Sequence, residues 1–275
     1  MNRPLDRGSA IEVSRYKRWL AHFAAYRNPV TQPLIELWLG QFSTTDQDLA
    51  ARVLDSVLFL DHSHIHACFR QLLASLPGWH VDPSRRKGQW FFVPFSGSVG
   101  ESGDSMVHAF RMATAMTKRT FNPLFIHRSE LVAKKPSAGD TVVLLDDFSG
   151  SGKQADDSWN DLFAELLAGG PRVVLMLIAA TSVALDRIAK KTDMEPLCGT
   201  ALQSTDNIFS PTCPHFTTAE KLTLLKYGQQ ADRSNPKGFG DCGLVVVLAH
   251  RCPNNSIPIL HANHEKWQGL FPRHD

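Results

Sequence analysis

The chain has 275 residues, a net charge of +2, 43% hydrophobic and 20% charged residues, which suits one large or two modest globular domains. Five cysteines with no Cys-x-x-Cys pair speak against a disulfide frame or a zinc site, and the longest apolar run, Val173 to Ala180, is too short to span a bilayer. The N-terminus lacks an apolar stretch of signal-peptide length, so a cytoplasmic protein with reduced thiols and no membrane contact is expected.

The first part, from about residue 14 to 76, reads as successive short helices. Tyr16, Trp19, Leu20 and Phe23 form an apolar stripe that Leu34, Leu37, Trp38 and Phe42 continue. Thr44 or Thr45 is a fitting cap, with Asp48 in the first turn of the next helix, whose Leu49, Val53, Leu54, Val57 and Leu58 face a core. A third helix is expected from Asp61 or Ser63 to Pro77. This pattern fits a helix-turn-helix or winged-helix module and equally a plain helical bundle. The alternate histidines His62, His64 and His66 do not share a helical face, so no metal site is expected from them. Arg85, Arg86 and Lys87 sit on a turn that ends this part; they suit nucleic-acid phosphates or a solvated surface. The boundaries expected are 1–89 for the helical domain and 90–275 for a second domain.

From Trp90 the period changes. Strand candidates at Trp90 to Phe95, Pro123 to Ile126, Val142 to Leu145 and Arg172 to Ala180 alternate with loops and helices. That alternation predicts an α/β domain with a mainly parallel sheet, and ligands of such sheets bind beyond the carboxyl ends of the strands. Ser96, Gly97 and Ser98 begin a glycine- and serine-rich loop at one such end, which suits either a ligand loop or a mobile surface segment.

The most informative run is Val142-Val-Leu-Leu-Asp-Asp-Phe-Ser-Gly-Ser-Gly-Lys-Gln154. A buried strand leads into two carboxylates, Asp146 and Asp147, then into Ser149, Gly150, Ser151, Gly152 and Lys153 before a helix from about Gln154 to Leu167. Small residues let backbone N–H groups converge on one point, and a helix start adds partial positive charge there, which suits a phosphate. Ionised carboxylates accept hydrogen bonds from sugar hydroxyls. A Walker A loop is excluded, because Asp147 stands where its first glycine belongs and Gln154 where it needs Ser or Thr. Gly150 to Ala155 fits the Gly-x-Gly-x-x-Ala dinucleotide pattern, but two aspartates would face the pyrophosphate and no acidic residue closes a matching second strand. An acidic turn without a ligand also stays open.

Strand, acidic pair and hydroxyl-rich glycine loop resemble the ribose-phosphate motif of type I phosphoribosyltransferases. The glycine-rich approach Gly238 to His250, then Cys252-Pro-Asn-Asn-Ser-Ile-Pro-Ile-Leu260 and Trp267 to Arg273, resemble the ending of phosphoribosyltransferase-like proteins with an N-terminal winged-helix domain, found in bacterial conflict systems and as retron accessory proteins. The resemblance spans about residues 15 to 273. It implies Asp146 and Asp147 on the ribose hydroxyls, Ser149 to Lys153 around the 5′-phosphate, and Ser96 to Ser98 near a pyrophosphate. It implies phosphoribosyl diphosphate or a nucleotide as ligand, with Mg2+ held through that ligand and not by direct protein ligation. It further implies anti-phage defence beside a reverse transcriptase with multicopy single-stranded DNA. An oligomer is expected. Lys153-Gln154 departs from the transferase loop, which usually ends in hydroxyl and glycine. A glycosyl-transferring or glycoside-cleaving enzyme, a ribose-phosphate-sensing regulator and a non-catalytic subunit all remain open. Asn254 and Asn255 read as a turn held by Pro253 and Pro258, or as amides able to read a base.

Overall fold

The computed structural model describes residues 11–96 and 103–273. In chain order it has α1 (Val13–His22), α2 (Gln32–Leu39), α3 (Gln47–Asp55), β1 (Leu58–Leu60), α4 (His62–Ser75), β2 (Trp90–Pro94), α5 (Gly103–Ala113), α6 (Leu131–Lys134), β3 (Thr141–Ser149), α7 (Lys153–Ser158), α8 (Ala164–Leu166), β4 (Arg172–Thr181), α9 (Ser182–Lys191), β5 (Met194–Leu202), α10 (Thr218–Ala231), β6 (Val246–Leu248), β7 (Asn263–His264) and β8 (Trp267–Gln268). It is a mixed α/β protein whose main sheet is parallel. No helix among the described residues is long and apolar enough to cross a membrane.

Two compact units share the chain, one of residues 1–62 with 204–275 and one of residues 63–203. The packing therefore divides elsewhere than at the 89/90 boundary expected from the change of period at Trp90. The reason lies in a strand that helical periodicity hid. Val57 and Leu58 do not extend α3; the helix ends at Asp55 with Ser56 as its C-cap, and Leu58–Leu60 pair in parallel with Val246–Leu248. That pairing ties the first helices to the chain's last seventy residues or so. The core of this unit confirms it: the indole N–H groups of Trp38 and Trp267 both donate to the Ile259 carbonyl, at 2.7 and 3.1 Å. Phe23 meets Phe271 edge to face at 4.9 Å. The expected cap before α3 is also different, because a short 3-10 turn, Thr44–Asp46, precedes the helix and no side chain caps it. α10 does carry a capping box, in which Thr217 accepts from the Glu220 N–H and Glu220 from the Thr217 N–H.

The second unit is built on the four-stranded parallel sheet β2-β3-β4-β5. Strands β2, β3 and β4 are almost wholly apolar and buried, as parallel strands covered on both faces must be, whereas the edge strand β5 is largely half-buried or exposed. Phe91, Val93, Val142, Leu144, Val173 and Leu175 pack on one face against Trp159, Phe163 and Ile188. On the other face Phe92 meets Phe110 of α5, which meets Phe69 of α4. The expected strand at Pro123 to Ile126 shrinks to a single parallel bridge, Phe92 with Phe125, behind a 3-10 turn that Pro123 favours. That bridge is on the edge of β2 opposite β3. The chain thus leaves β2 in one direction and returns on its other side, which makes the β2/β3 pair a topological switch point.

Candidate ribose-phosphate site

β3 does not end at its carboxylates. It runs on to Ser149, with Asp146, Phe148 and Ser149 opposite Leu177, Ala179 and Ala180 of β4. Asp146 is 5% and Asp147 1% exposed, so the expected acidic pair at a strand end is instead a buried pair within one. Alternation along the strand sends the two side chains to opposite faces: Asp146 to the side of Leu144 and α7, Asp147 to the side of α5.

β2 stops at Pro94, opposite Leu145. Odd-numbered residues of β3 aim their backbone groups at β2, since Thr141 N–H donates to Gln89 and Leu145 C=O accepts from Phe95. Asp147 is the first odd residue of β3 beyond its pairing with β2. Its N–H donates to Asp146 Oδ1, at 2.9 Å. That bond draws the Asp146 carboxylate to the edge of β3 on the β2 side.

Beyond Ser149 the loop is anchored from α9. Thr181 Oγ1 donates to the Gly150 carbonyl and accepts from the Ala184 N–H at 3.0 Å, so one hydroxyl caps α9 and fixes the loop. Gly152 takes φ 70°, and a Cβ there would lie 3.0 Å from Ala184 O and 3.1 Å from its Cα. The glycine requirement thus falls on Gly152, for backbone conformation and for the approach of the loop to α9. Ser151 Oγ accepts from the Lys153 N–H at 3.4 Å. Lys153 Nζ is bound to Asp157, at 2.6 Å, one turn on. An exposed pair of this kind is worth at most about 1 kcal/mol, so the ammonium can transfer to an anion at small cost. Arg187 holds Asp156 through Nε and Nη2 at 3.0 and 2.7 Å, and these bonds keep the Asp156 carboxyl below its ordinary range. Thr181, Asp156 and Arg187 escaped the sequence reading; only Thr181 left a signal, as a cap residue between an apolar strand and a helix.

Of the loop after β2, Ser96 is buried and its Oγ accepts from the Gly103 N–H at 2.8 Å, whereas Gly97 and Ser98 lie outside the described residues. The Arg85, Arg86 and Lys87 turn precedes β2, at the opposite end of that strand from Ser96, and its members differ. Arg86 donates to the carbonyls of His80 and Val81 and stacks over Trp79 at 4.9 Å, so it holds the turn together; Arg85 and Lys87 face outward. Asn255 is buried, and its amide donates to Phe239 O at 2.9 Å, a backbone contact that clamps the Gly238 turn. His62, His64 and His66 fall on α4 as expected, and among the described residues no three acidic, histidine or cysteine side chains form a metal cluster. Cys68 and Cys198 are held as thiols, with burial pushing them up to about 12 and about 11.

The model of the family described as PRTase-CE matches residues 35–273. The chain belongs to the PRTase-CE family. It is accordingly a phosphoribosyltransferase-like protein, and the matched stretch draws on both compact units. A comparison with curated proteins finds no match.

Proposed function

We propose that this PRTase-CE protein binds a ligand carrying ribose 5-phosphate, either phosphoribosyl diphosphate or a nucleotide, at the carboxyl end of β3. One observation carries the reading: the strand order on either side of β2 makes a switch point at the carboxyl end of β3, the strand that carries Asp146 and leads directly into the Ser149 to Lys153 loop. The loop's N–H groups and the transferable Lys153 ammonium hold the phosphate, and Asp146 accepts from ribose hydroxyls. Asp147, directed to the other face, acts through the Asp146 contact as a positioning residue.

Held this way, the sugar is set up for cleavage at C1. As the bond from C1 to its leaving group breaks, positive charge grows on C1 and the ring oxygen, and a fixed carboxylate beside them stabilises it. The electron pair leaves with the diphosphate or the base, and a nitrogen nucleophile or water closes on C1. Carboxylates on opposite faces of a strand do not form a cage for one cation, so a Mg2+ ion would be held by the diphosphate of the ligand and would supply neutralisation of its leaving charge.

The ending from Gly238 to Arg273 supports the finer reading, an effector of a retron-type anti-phage system with a winged-helix-like N-terminal part, acting beside a reverse transcriptase and its single-stranded DNA. Copurification of that enzyme and its DNA with the chain tests this reading, and their absence removes it. Calorimetric titration with phosphoribosyl diphosphate and Mg2+ tests the site. Binding that falls at least tenfold in Asp146→Asn supports it; equal binding in the folded variant removes it. Ligand binding without turnover would favour the sensing regulator or non-catalytic subunit over the enzyme.

A further inference from the structure

The unit formed by both chain ends contains an open cavity of about 1440 Å3 that the ribose-phosphate reading does not use. Lys226 of α10, Arg233 just past its end, Lys266 in the β7–β8 turn and Arg273 bring four cations to its lining, against one carboxylate, Asp232. Some cations elsewhere in this unit are paired, Arg15 with Asp48 and Asp55, Arg52 with Glu220. Lys226, Arg233 and Lys266 are exposed and form no ion pair among the described residues. Asp232 offsets one of these charges but pairs with none of them, its carboxylate accepting from the N–H groups of Ser234 and Asn235, at 2.8 and 3.2 Å, within the turn that follows α10.

The frame of the cavity is set by uncharged contacts. His264 Nε2 lies 2.8 Å from the Ala231 carbonyl and therefore carries the proton, while its Nδ1 accepts from the Lys266 N–H at 3.2 Å. Both ring nitrogens are occupied, and the histidine fastens the β7–β8 turn to the end of α10. Lys266 is thereby held on the same concavity as Lys226 and Arg233. Unpaired cations around a concave wall focus positive potential there. The volume exceeds the ~300–1,000 Å3 of ordinary small-molecule pockets, which favours an extended polyanion. Gln229, Gln230 and Asn263 add amide donors; no Phe, Tyr or Trp lines the wall, and the His264 ring is tied up by its two hydrogen bonds.

We propose that this cavity binds the phosphodiester backbone of a nucleic-acid strand, without base readout. Its contacts position a strand and carry no sequence information. The cations involved are Lys226, Arg233 and Lys266, in place of the Arg85 to Lys87 turn, whose Arg86 is committed to carbonyls.

The test is fluorescence anisotropy of a mixed-sequence single-stranded oligonucleotide with the full chain, across a salt series. Lys226→Ala, Arg233→Ala and Lys266→Ala together should weaken binding at least tenfold and lower the salt slope by about 2, since each lost phosphate contact removes roughly 0.7. Lys226→Arg with Lys266→Arg should keep wild-type affinity, as should Arg85→Ala with Lys87→Ala. Phosphoribosyl diphosphate binding should be unchanged in the triple variant, which separates this site from the one on β3. An unchanged affinity and slope in the folded triple variant would overturn the proposal, as would a wild-type chain that binds no strand at low salt. Displacement of the strand by inorganic phosphate at equal phosphate concentration would overturn it too, by showing a small-anion site.

Discussion

Asp146 performs two tasks that different substitutions separate. Asparagine keeps an oxygen for the Asp147 N–H, so Asp146→Asn should melt within a few degrees of the wild type while losing its ligand. Alanine removes the side-chain acceptor of that buried N–H; denaturant unfolding of Asp146→Ala should show a loss of about 1–3 kcal/mol. Gly152→Ala meets both a left-handed backbone and the Ala184 main chain, and a loss of roughly 1–3 kcal/mol is expected in the same measurement. His261 sets a pH dependence. Burial, reinforced by Arg273 nearby, lowers it from 6.5 to about 4, although its bond to the Ser256 carbonyl opposes the shift. Between those values the unfolded chain binds the proton and the folded chain does not, so stability rises with pH. The neutral ring contributes up to about 3 kcal/mol that is complete above pH 6.5 and lost as pH falls towards 4. His261→Gln should flatten that part of a stability profile recorded by urea unfolding; a profile identical to the wild type would contradict the assignment.

At the scale of elements, the loop after β3 depends on α9 more than on its own residues. Thr181→Val removes the cap on Ala184 and the donor to Gly150 together. A loss of about 1–3 kcal/mol and weaker phosphoribosyl diphosphate binding should appear in unfolding and calorimetry respectively. Normal binding with reduced stability would show that the loop holds its shape alone. Much of this element was legible in the sequence: apolar β3, a small-residue loop after it and a following helix all appear in the expected order, although the strand runs past the acidic pair to Ser149. What periodicity missed was long-range. Leu58–Leu60 follow a helix and continue its apolar stripe, and only a partner almost two hundred residues away makes them a strand. The same holds for the depth of Asp146 and Asp147, because strand length here is set by β4, which runs alongside as far as Ala180. The Asn255 clamp was legible as a turn but not as the partner of Phe239.

For the molecule as a whole, the pairing of β1 with β6 predicts which fragments fold. A fragment of residues 90–275 would retain β6 without β1, and the Trp267 side of a core without Trp38 and Phe42. Residues 63–203 keep the whole four-stranded sheet with helices on both faces. The shorter fragment should therefore give a cooperative thermal transition by circular dichroism, and the longer one should aggregate or melt without cooperativity. Cooperative folding of 90–275 would return the division to residue 89. The family model, which begins within α2 and runs to residue 273, also treats the two parts as one continuous match.

The central claim, that a ribose 5-phosphate ligand sits at the switch point of the sheet, is tested most directly by a crystal structure of the chain grown with phosphoribosyl diphosphate and Mg2+. The expected result is the 5-phosphate within about 3 Å of backbone N–H groups between Gly150 and Lys153, with ribose hydroxyls donating to Asp146. A ligand bound elsewhere on the chain, with this loop and Asp146 untouched, would contradict it.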